Sequence, residues 1–212
     1  MEAYRKIPSQ KYHDLVLRVV PGHFVTVNSH VNYYMDMAAI MKRQNEAKAA
    51  AEALAHFYSI DSVIDTIVCL GGTEVIGAYL ANELTKVGVF SKNAHKAMYI
   101  LTPEYDGNGL MIFRHNLEGW IRGKNVLLLM ATATTGKSFQ QAAQSINYYG
   151  GTVVGISALF SAVSKIDGFP VHALFDTSDF ADYRAYRAAD CPMCKAKQKV
   201  DAICNGFGYS LI

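Results

Sequence analysis

One stretch of the chain indicates the fold most directly, and it reads Val126-Leu-Leu-Leu-Met-Ala-Thr-Ala-Thr-Thr-Gly-Lys-Ser138. Its first half is an unbroken apolar run, which is typical of a buried strand. Its second half is rich in small hydroxyl residues and leads into a helical pattern. Free backbone N–H groups at a helix start attract anions. The residues predicted to form a phosphate site there are Thr134, Thr135, Gly136, Lys137 and Ser138. The alternative is an ordinary helix cap, in which one of the two threonines satisfies backbone donors.

Outward from this stretch, short apolar runs alternate with helical patterns. Strands are predicted at 63–70, 97–101, 126–130, 153–160 and 171–175. Helices are predicted at 38–58, at 74–86 with Gly88 as its stop, and at 137–149. This alternation predicts an α/β fold with a mostly parallel sheet flanked by helices. Such sheets bind ligands at the carboxyl ends of their strands, so the loops at 71–73 and 131–138 are the expected site.

The composition is that of a folded protein, with a single domain expected over residues 1–212. Hydrophobic residues make up 51% of the chain and charged residues 18%, which excludes intrinsic disorder. The net charge of +2 is too small for a general nucleic-acid binder. No apolar run reaches the ~20 residues of a membrane span, and the N-terminal residues lack the apolar core of a signal peptide. We therefore expect a cytoplasmic protein with reduced cysteines and with neither nucleic-acid nor membrane partners.

One interpretation of the central stretch is nucleotide hydrolysis. Residues Ala131–Ser138 match a relaxed P-loop pattern, with alanine at the position of the first glycine. The strand at 171–175 ends at Asp176, which suits a magnesium-binding strand end. Against this interpretation, the first glycine of a P-loop permits a backbone path that a side chain would crowd. A P-loop NTPase is therefore a less favoured alternative.

Four motifs favour a different family. They are Gly22-His-Phe-Val-Thr-Val-Asn-Ser-His-Val-Asn-Tyr-Tyr34, Leu70-Gly-Gly-Thr-Glu-Val-Ile-Gly77, the stretch at 126–138, and Cys191-Pro-Met-Cys-Lys195. In this order they resemble the motifs of the type I phosphoribosyltransferases, and of orotate phosphoribosyltransferase-like proteins in particular. The resemblance covers nearly the whole chain. It implies transfer of a 5-phosphoribosyl group from phosphoribosyl diphosphate (PRPP) to a small nitrogenous base such as orotate, with Mg²⁺ as cofactor.

The resemblance also implies roles for individual residues. Predicted contacts to PRPP or to a nucleotide monophosphate are Thr132, Thr134, Thr135, Gly136, Lys137, Ser138, Gly71, Gly72 and Thr73. Predicted contacts to the base are Asn28, Ser29, His30 and Tyr34, within an N-terminal base-recognition segment at 1–36. Predicted catalytic residues are Arg114 and His115.

These last two residues lie in a glycine-punctuated insertion at 102–124, which the resemblance identifies as a hairpin hood over the site. In this family an adjacent subunit supplies part of the hood, so a homodimer is expected. The sequence supports this expectation because the hood contains Leu110, Met111, Ile112, Phe113 and Trp120, which a monomer would rarely expose together.

Three positions depart from the family pattern. Met130 and Ala131 stand where the family has two acids that accept hydrogen bonds from the ribose hydroxyls, and Val27 replaces a lysine of the orotate-binding segment. Methionine is a weak acceptor and alanine is none. We therefore expect weak turnover of PRPP, with Thr132 as the first candidate to hold the ribose instead. The alternative function is a non-catalytic sensor of PRPP or a nucleotide.

Two further groups of residues suggest metal binding. Cys191 and Cys194 have the spacing of zinc ligands, but one such pair is half a site. Cys204 and His172 are the residues considered to complete it. We predict reduced structural thiols and no metal. The acidic run Asp176, Asp179 and Asp182 is likewise predicted to be solvated and helix-capping rather than a cation site.

Overall fold

The computed structural model describes residues 4–58, 62–86, 92–94, 97–107, 109–205 and 208–212. Its strands are β1 (Arg5–Pro8), β2 (Val16–Val25), β3 (His30–Asp36), β4 (Thr66–Leu70), β5 (Tyr99–Leu101), β6 (Glu104–Tyr105), β7 (Met111–Ile112), β8 (Asn125–Ala133), β9 (Thr152–Ser161), β10 (Lys165–Ile166), β11 (Phe169–Asp176), β12 (Ala185–Tyr186), β13 (Ala202–Asn205) and β14 (Gly208–Leu211). Its α-helices are α1 (Ala38–Lys42), α2 (Gln44–Ala55), α3 (Glu74–Lys86), α4 (His115–Glu118), α5 (Lys137–Tyr148) and α6 (Pro192–Lys195).

The central sheet contains the apolar runs predicted as buried strands. Its order is β10-β11-β9-β8-β4-β5, and every neighbouring pair except β10–β11 is parallel. All five residues of β4 are buried, because the sheet is covered on both faces. The chain leaves β4 toward β5 on one side and continues from β8 toward β9 on the other. The carboxyl ends of β4 and β8 therefore form the switch point at which open α/β sheets bind ligands. The predicted α/β fold is confirmed.

Helices cover the two faces of this sheet unequally. One face is covered by α1, α2 and α3. The buried residues of these helices, including Leu54, Ile76 and Leu84, pack against the side chains that the sheet directs to this face. The other face carries α5 through Phe139 and Ile146. Among the described residues, no helix is both long enough and apolar enough to cross a membrane.

A second sheet joins the two ends of the chain. Its order is β12-β3-β2-β13-β14. Strand β1 pairs with the first four residues of β2, whereas β13 pairs with its last two. The C-terminal strand β13 runs parallel to β2, with Ala202 opposite Phe24. Residues His30 to Asp36, expected at the entry to the first helix, form strand β3 instead. The N-terminal strands β1, β2 and β3 pair with one another, and strands from the far end of the chain extend their sheet on both sides.

Some element boundaries differ from the sequence-based expectation and others agree with it. The helix predicted at 38–58 is broken at Arg43, whose backbone is extended, so α1 and α2 are separate. Strand β8 continues through Ala133, which leaves only residues 134–136 between β8 and α5. Helix α3 has the predicted bounds, while its predicted stop, Gly88, lies outside the described residues.

The hood contains the predicted hairpin, formed by β6 and β7, but its apolar residues are placed differently from the expectation. Met111 is 5% exposed and Phe113 4%, because both pack into the core beside α5. Leu110 is 61% exposed, and the half-exposed Trp120 stacks on Tyr99 with ring centroids 4.9 Å apart. The apolar argument for a homodimer therefore rests on two side chains rather than five.

The acidic run after β11 is engaged by the protein itself. Burial opposes ionisation of Asp176, but hydrogen bonds from Lys11 and Ser178 outweigh it and lower its pKa to about 2. Asp179 accepts hydrogen bonds from the backbone N–H groups of Gln10 and Asp176. These carboxylates attach the N-terminal segment to the end of β11, so the expectation that they are solvated and cap a helix is wrong for Asp176 and Asp179.

Candidate functional site

The turn from β8 into α5 is built on Gly136. Its φ of +78° lies in the left-handed region, and a Cβ added there would meet Ile166 Cγ2 at 3.1 Å. Gly136 is the N-cap of α5, and no side chain caps this helix. The alternative of an ordinary threonine cap is therefore wrong. The backbone N–H groups of the first turn of α5 lack intrahelical acceptors and are left for an anion.

This helix start opens into a cavity of about 260 Å³ at the carboxyl end of β8. Thr132, Thr134, Thr135, Gly136 and Ser138 line one wall. The opposite wall is formed by the turn 26–29 and by the end of β3 with the start of α1, and Tyr183 and Asn205 contribute from the C-terminal part. The described lining residues include no Asp, Glu, Lys, Arg or His. Helix N–H groups, hydroxyls and amides thus provide its polarity, without formal charge.

The short turn between β8 and α5 also bears on the P-loop alternative. Residues Ala131, Thr132 and Ala133 pair with β9 or lie within β8, so they are not part of a loop. Three residues remain for the turn, which is too short to wrap phosphates as the eight-residue P-loop pattern does. The geometry therefore disfavours an NTPase.

The turn at 26–29 is internally braced. Thr26 Oγ1 accepts hydrogen bonds from the N–H groups of Asn28 (3.3 Å) and Ser29 (2.9 Å), and the Thr26 N–H donates to the Ser29 carbonyl. Val27, at the position of the family lysine, is 92% exposed. Asn28, Ser29 and Tyr34 line the cavity as the sequence predicts for the base-binding residues. Burial raises the pKa of Tyr34, so its hydroxyl stays protonated and can donate a hydrogen bond.

The predicted pyrophosphate loop lies at the neighbouring strand end. Gly71 (φ +74°) and Gly72 (φ +88°) both have left-handed backbone, and a Cβ on Gly71 would meet Ala131 Cβ at 3.1 Å. The Thr73 hydroxyl donates to the Leu129 carbonyl at 3.0 Å, which links the end of β4 to β8. The side chain of Thr73 is therefore structural, and the loop lies at the switch point without contributing to the described cavity lining.

Seven predicted site residues are absent from the cavity lining, namely Gly71, Gly72 and Thr73 at the neighbouring strand end, and Arg114, His115, Lys137 and His30. Arg114 pairs with Glu104 within the exposed hood, and this ion pair lowers the pKa of the Glu104 carboxyl. The side chain of His115 is 97% exposed. Lys137 is exposed on the outer side of α5, and His30 faces His23 rather than the cavity. The structure thus brings the predicted residues of the turn before α5, except Lys137, and three of the four predicted base residues to one cavity, and it leaves Arg114, His115 and His30 outside.

The cysteine motif has a different environment from the one considered in the sequence. His172 stacks on Phe57 with ring centroids 4.3 Å apart, and Cys204 lines the cavity, where burial raises its pKa to about 11. Neither approaches the motif. Cys191 and Cys194 instead face His23 and His30.

Sequence reasoning missed several residues of the cavity wall. Tyr183 and Asn205 come from segments far along the chain, and Phe139 enters from the first turn of α5. Burial raises the pKa of Tyr183. No local pattern marks Tyr183 or Asn205, since they reach the cavity only through the pairing of β12 and β13 with the second sheet.

Comparison with known proteins finds similarity to phosphoribosyltransferases. No family model matches the chain. It is 28% identical to an orotate phosphoribosyltransferase of Sulfurimonas denitrificans over 193 residues, which cover 84% of this chain and 88% of that protein. It is also 28% identical to an orotate phosphoribosyltransferase of Wolinella succinogenes, with 85% and 88% covered.

Solved structures show the same fold. Mycobacterium tuberculosis orotate phosphoribosyltransferase in complex with Fe(III) dicitrate superposes with a TM-score of 0.52 at 17% identity, covering 77% of this chain and 91% of that one. Trypanosoma brucei adenine phosphoribosyltransferase, in complex with AMP, pyrophosphate and ribose-5-phosphate, gives 0.52 at 14% identity, covering 89% and 80%. The resemblance to type I phosphoribosyltransferases predicted from the sequence is confirmed, and the fold is theirs.

We predict that the turn before α5 binds phosphate. Gly136→Val should strain the left-handed backbone and collide with Ile166, and it should weaken binding of PRPP and inorganic phosphate at least tenfold. Ser138→Ala removes one charge-assisted contact worth ~1.5–3 kcal/mol, which corresponds to a roughly 10–100-fold loss. Isothermal calorimetry with both ligands measures these changes.

Gly168→Val is the matched control for this prediction. Gly168 also has left-handed backbone, at φ +86°, but a Cβ there meets nothing within 4 Å and the residue lies outside the cavity lining. It should carry the same backbone strain and bind phosphate normally. Unchanged affinity in Gly136→Val would remove this turn from the ligand site.

Proposed function

We propose that this chain binds PRPP and transfers its 5-phosphoribosyl group to a small nitrogenous base. One observation carries the proposal: the uncapped start of α5 and the aromatic, amide-bearing wall of Asn28, Ser29 and Tyr34 share one cavity at the switch point of the sheet. A phosphate on the helix start and a base against the opposite wall are the two ends of a nucleotide. The names of the curated relatives support the same reaction.

The phosphate end of the ligand is the better defined. Helix N–H groups from residues 137–139 point toward it, and the hydroxyls of Thr134, Thr135 and Ser138 surround it. Backbone donors and a helix dipole stabilise a phosphate without a cationic side chain. A phosphate can therefore bind here although the side chain of Lys137 is directed away from the cavity.

The base end of the cavity favours an uncharged ligand. Orotate carries a carboxylate, and burying an unpaired carboxylate is strongly unfavourable. Among the described lining residues no cation is present, and the family lysine is replaced by the solvent-facing Val27. We therefore propose an uncharged base as the preferred acceptor, with orotate as the comparison.

The reaction in this proposal is displacement at the anomeric carbon with pyrophosphate as leaving group. The contribution of the protein is to hold the two phosphate groups in place and to stabilise developing charge. Gly71 and Gly72 offer backbone N–H groups to the pyrophosphate, and Thr132, exposed at the cavity wall, offers a hydroxyl to the ribose.

Mg²⁺ enters the proposal as part of the substrate. Protein-held Mg²⁺ normally has one or two carboxylate ligands in addition to substrate phosphates. The described cavity wall offers no carboxylate, so its donor set does not fit a resident Mg²⁺ ion. In the proposed reaction the ion is carried by the diphosphate oxygens of PRPP.

A non-catalytic sensor is the second candidate, and a specific observation favours it. Met130 is 3% exposed and Ala131 8%, and both line the cavity where the family has acids. Each ribose hydroxyl left without an acceptor costs ~1–3 kcal/mol. A protein that binds phosphate well and ribose poorly would recognise PRPP or a nucleotide without efficient turnover.

The turnover experiment separates these functions. Purified protein is incubated with Mg²⁺, PRPP and a panel of bases that includes orotate and uncharged pyrimidines and purines, and pyrophosphate release is measured. We expect base-dependent release below ~1 s⁻¹, the lower end of ordinary enzyme rates. Calorimetric binding of PRPP without any release would support the sensor, and hydrolysis of ATP or GTP would overturn both.

The missing acids lead to a second prediction. Met130→Glu with Ala131→Asp should strengthen PRPP binding at least tenfold relative to pyrophosphate, because two carboxylates then accept the ribose hydroxyls. Met130→Gln with Ala131→Asn is the control, since it has similar size and no charge. Both variants should unfold at lower temperature without ligand, and calorimetry should show the gain only for the acidic pair. A gain for both variants would mean that an uncharged amide oxygen accepts the ribose hydroxyls as well as a carboxylate does.

A third prediction concerns the hood. In the proposed homodimer, Arg114 and His115, which lie outside the cavity of their own chain, face the cavity of the other subunit and assist its reaction. Light scattering at micromolar concentration should then report about twice 23.3 kDa. A monomer at that concentration would leave both residues without a role.

A further inference from the structure

Four metal-ligating side chains converge at one end of the second sheet. His23 lies in β2, His30 in β3, Cys191 caps α6 and Cys194 lies within it. One ligand atom from each lies within 4.8 Å of all the others. The cluster is outside the candidate cavity, whose lining includes none of the four.

The distances fit a single tetrahedral ion. Cys194 Sγ lies 3.2 Å from His30 Nδ1 and 3.6 Å from His23 Nε2, and Cys191 Sγ lies 3.7 Å from His23 Nε2. The two imidazole nitrogens are 3.0 Å apart. Zn–S bonds of about 2.3 Å and Zn–N bonds of about 2.0–2.1 Å place tetrahedral ligand atoms roughly 3.3–3.8 Å from one another. These four separations agree with the edges of such a tetrahedron to within a few tenths of an ångström, and the other two are no longer than 4.8 Å.

The surrounding hydrogen bonds orient these ligands. His23 Nδ1 lies 3.1 Å from the Gln198 carbonyl, to which it donates, so that Nε2 carries the lone pair that faces the cluster. The His23 backbone N–H donates to Asp201 Oδ2 at 2.7 Å, and the Asp201 N–H donates to the His23 carbonyl. The histidine is thus held by both its ring and its backbone against the segment that carries the cysteines.

We propose that His23, His30, Cys191 and Cys194 bind one zinc ion. Two thiolates and two imidazoles in tetrahedral arrangement select zinc over harder cations. Because all four positions belong to the protein, no position is open to substrate, and the ion is structural. The proposal departs from the sequence-based expectation of reduced structural thiols and no metal, because that expectation did not include His23 and His30.

The ion would close the second sheet. It joins the segment 191–201 to the β2–β3 hairpin beside the point where β13 pairs with β2. His30 directly follows Ser29, the last residue of the braced turn that lines the cavity. Zinc would therefore hold one wall of the candidate site in position although it takes no part in any reaction there.

The test begins with the full-length protein expressed with zinc in the medium and dialysed against a mild chelator. Elemental analysis should find one zinc ion per chain. Replacement by Co²⁺ should produce the intense visible absorption of tetrahedral cobalt together with a thiolate-to-cobalt charge-transfer band. Strong chelation should lower the melting temperature and increase amide exchange in β3 and β13.

Variants test the assignment of the ligands. Cys194→Ser changes an exposed residue and should fold, yet it should lose zinc on dialysis and lose part of the charge-transfer band. His30→Ala should lose zinc similarly. Cys69→Ser is the control, because this buried thiol lies in β4, away from the cluster, and it should retain one zinc ion per chain.

These outcomes decide the proposal independently of any phosphoribosyl transfer. Protein that is metal-free after growth with zinc, and that gives no tetrahedral cobalt spectrum, would overturn it. Zinc that Cys194→Ser and His30→Ala retain as fully as the Cys69→Ser control would also overturn it, since the ion would then be bound elsewhere.

Discussion

The site depends on the left-handed backbone of Gly136. This conformation, which costs a residue with a Cβ roughly 1–2 kcal/mol, turns the chain sharply from β8 into α5. It brings the first turn of α5 to the carboxyl end of the sheet with its N–H groups uncapped. Ile166 fills the space where a side chain would stand. Every other feature of the candidate site is arranged around the anion-binding end that this turn creates.

Around that end, the cavity combines polarity with an absence of formal charge. Hydroxyls, amides and helix N–H groups suit a phosphate and a neutral base, whereas the described walls offer no carboxylate for a ribose and no cation for a carboxylate ligand. The replacement of the two acids by Met130 and Ala131 extends the apolar interior of β8 to its end. Ala131 also allows the close approach of Gly71 from β4. The side chains of Met130 and Ala131, which differ from the family pattern, are therefore packed within the sheet.

The second sheet connects this cavity to the cysteine cluster. The β2–β3 hairpin presents the turn at 26–29 to the cavity at one of its ends, and His23 and His30 project from it toward Cys191 and Cys194. A tetrahedral ion at that cluster would fix the C-terminal segment to the hairpin, and the same segment supplies Asn205 to the cavity wall. The β2–β3 strand pair thus connects the candidate site to the cysteine cluster, although no residue belongs to both.

Local physical chemistry was readable from the sequence. The buried strands follow from apolar runs, the bounds of α3 and the start of α5 from helical periodicity, and the phosphate end from a hydroxyl-rich helix start with a glycine. The cavity-lining residues Asn28, Ser29 and Tyr34 were predicted from a resemblance to a family, because no local pattern marks them. Only the tertiary structure decided that His30 faces His23, that Arg114 stays in the hood, and that His23 meets Cys191, 168 positions along the chain. The reason is that packing and hydrogen bonds between distant segments set the pairing of β13 with β2. These long-range contacts produce no periodic pattern in the sequence of the residues that they bring together.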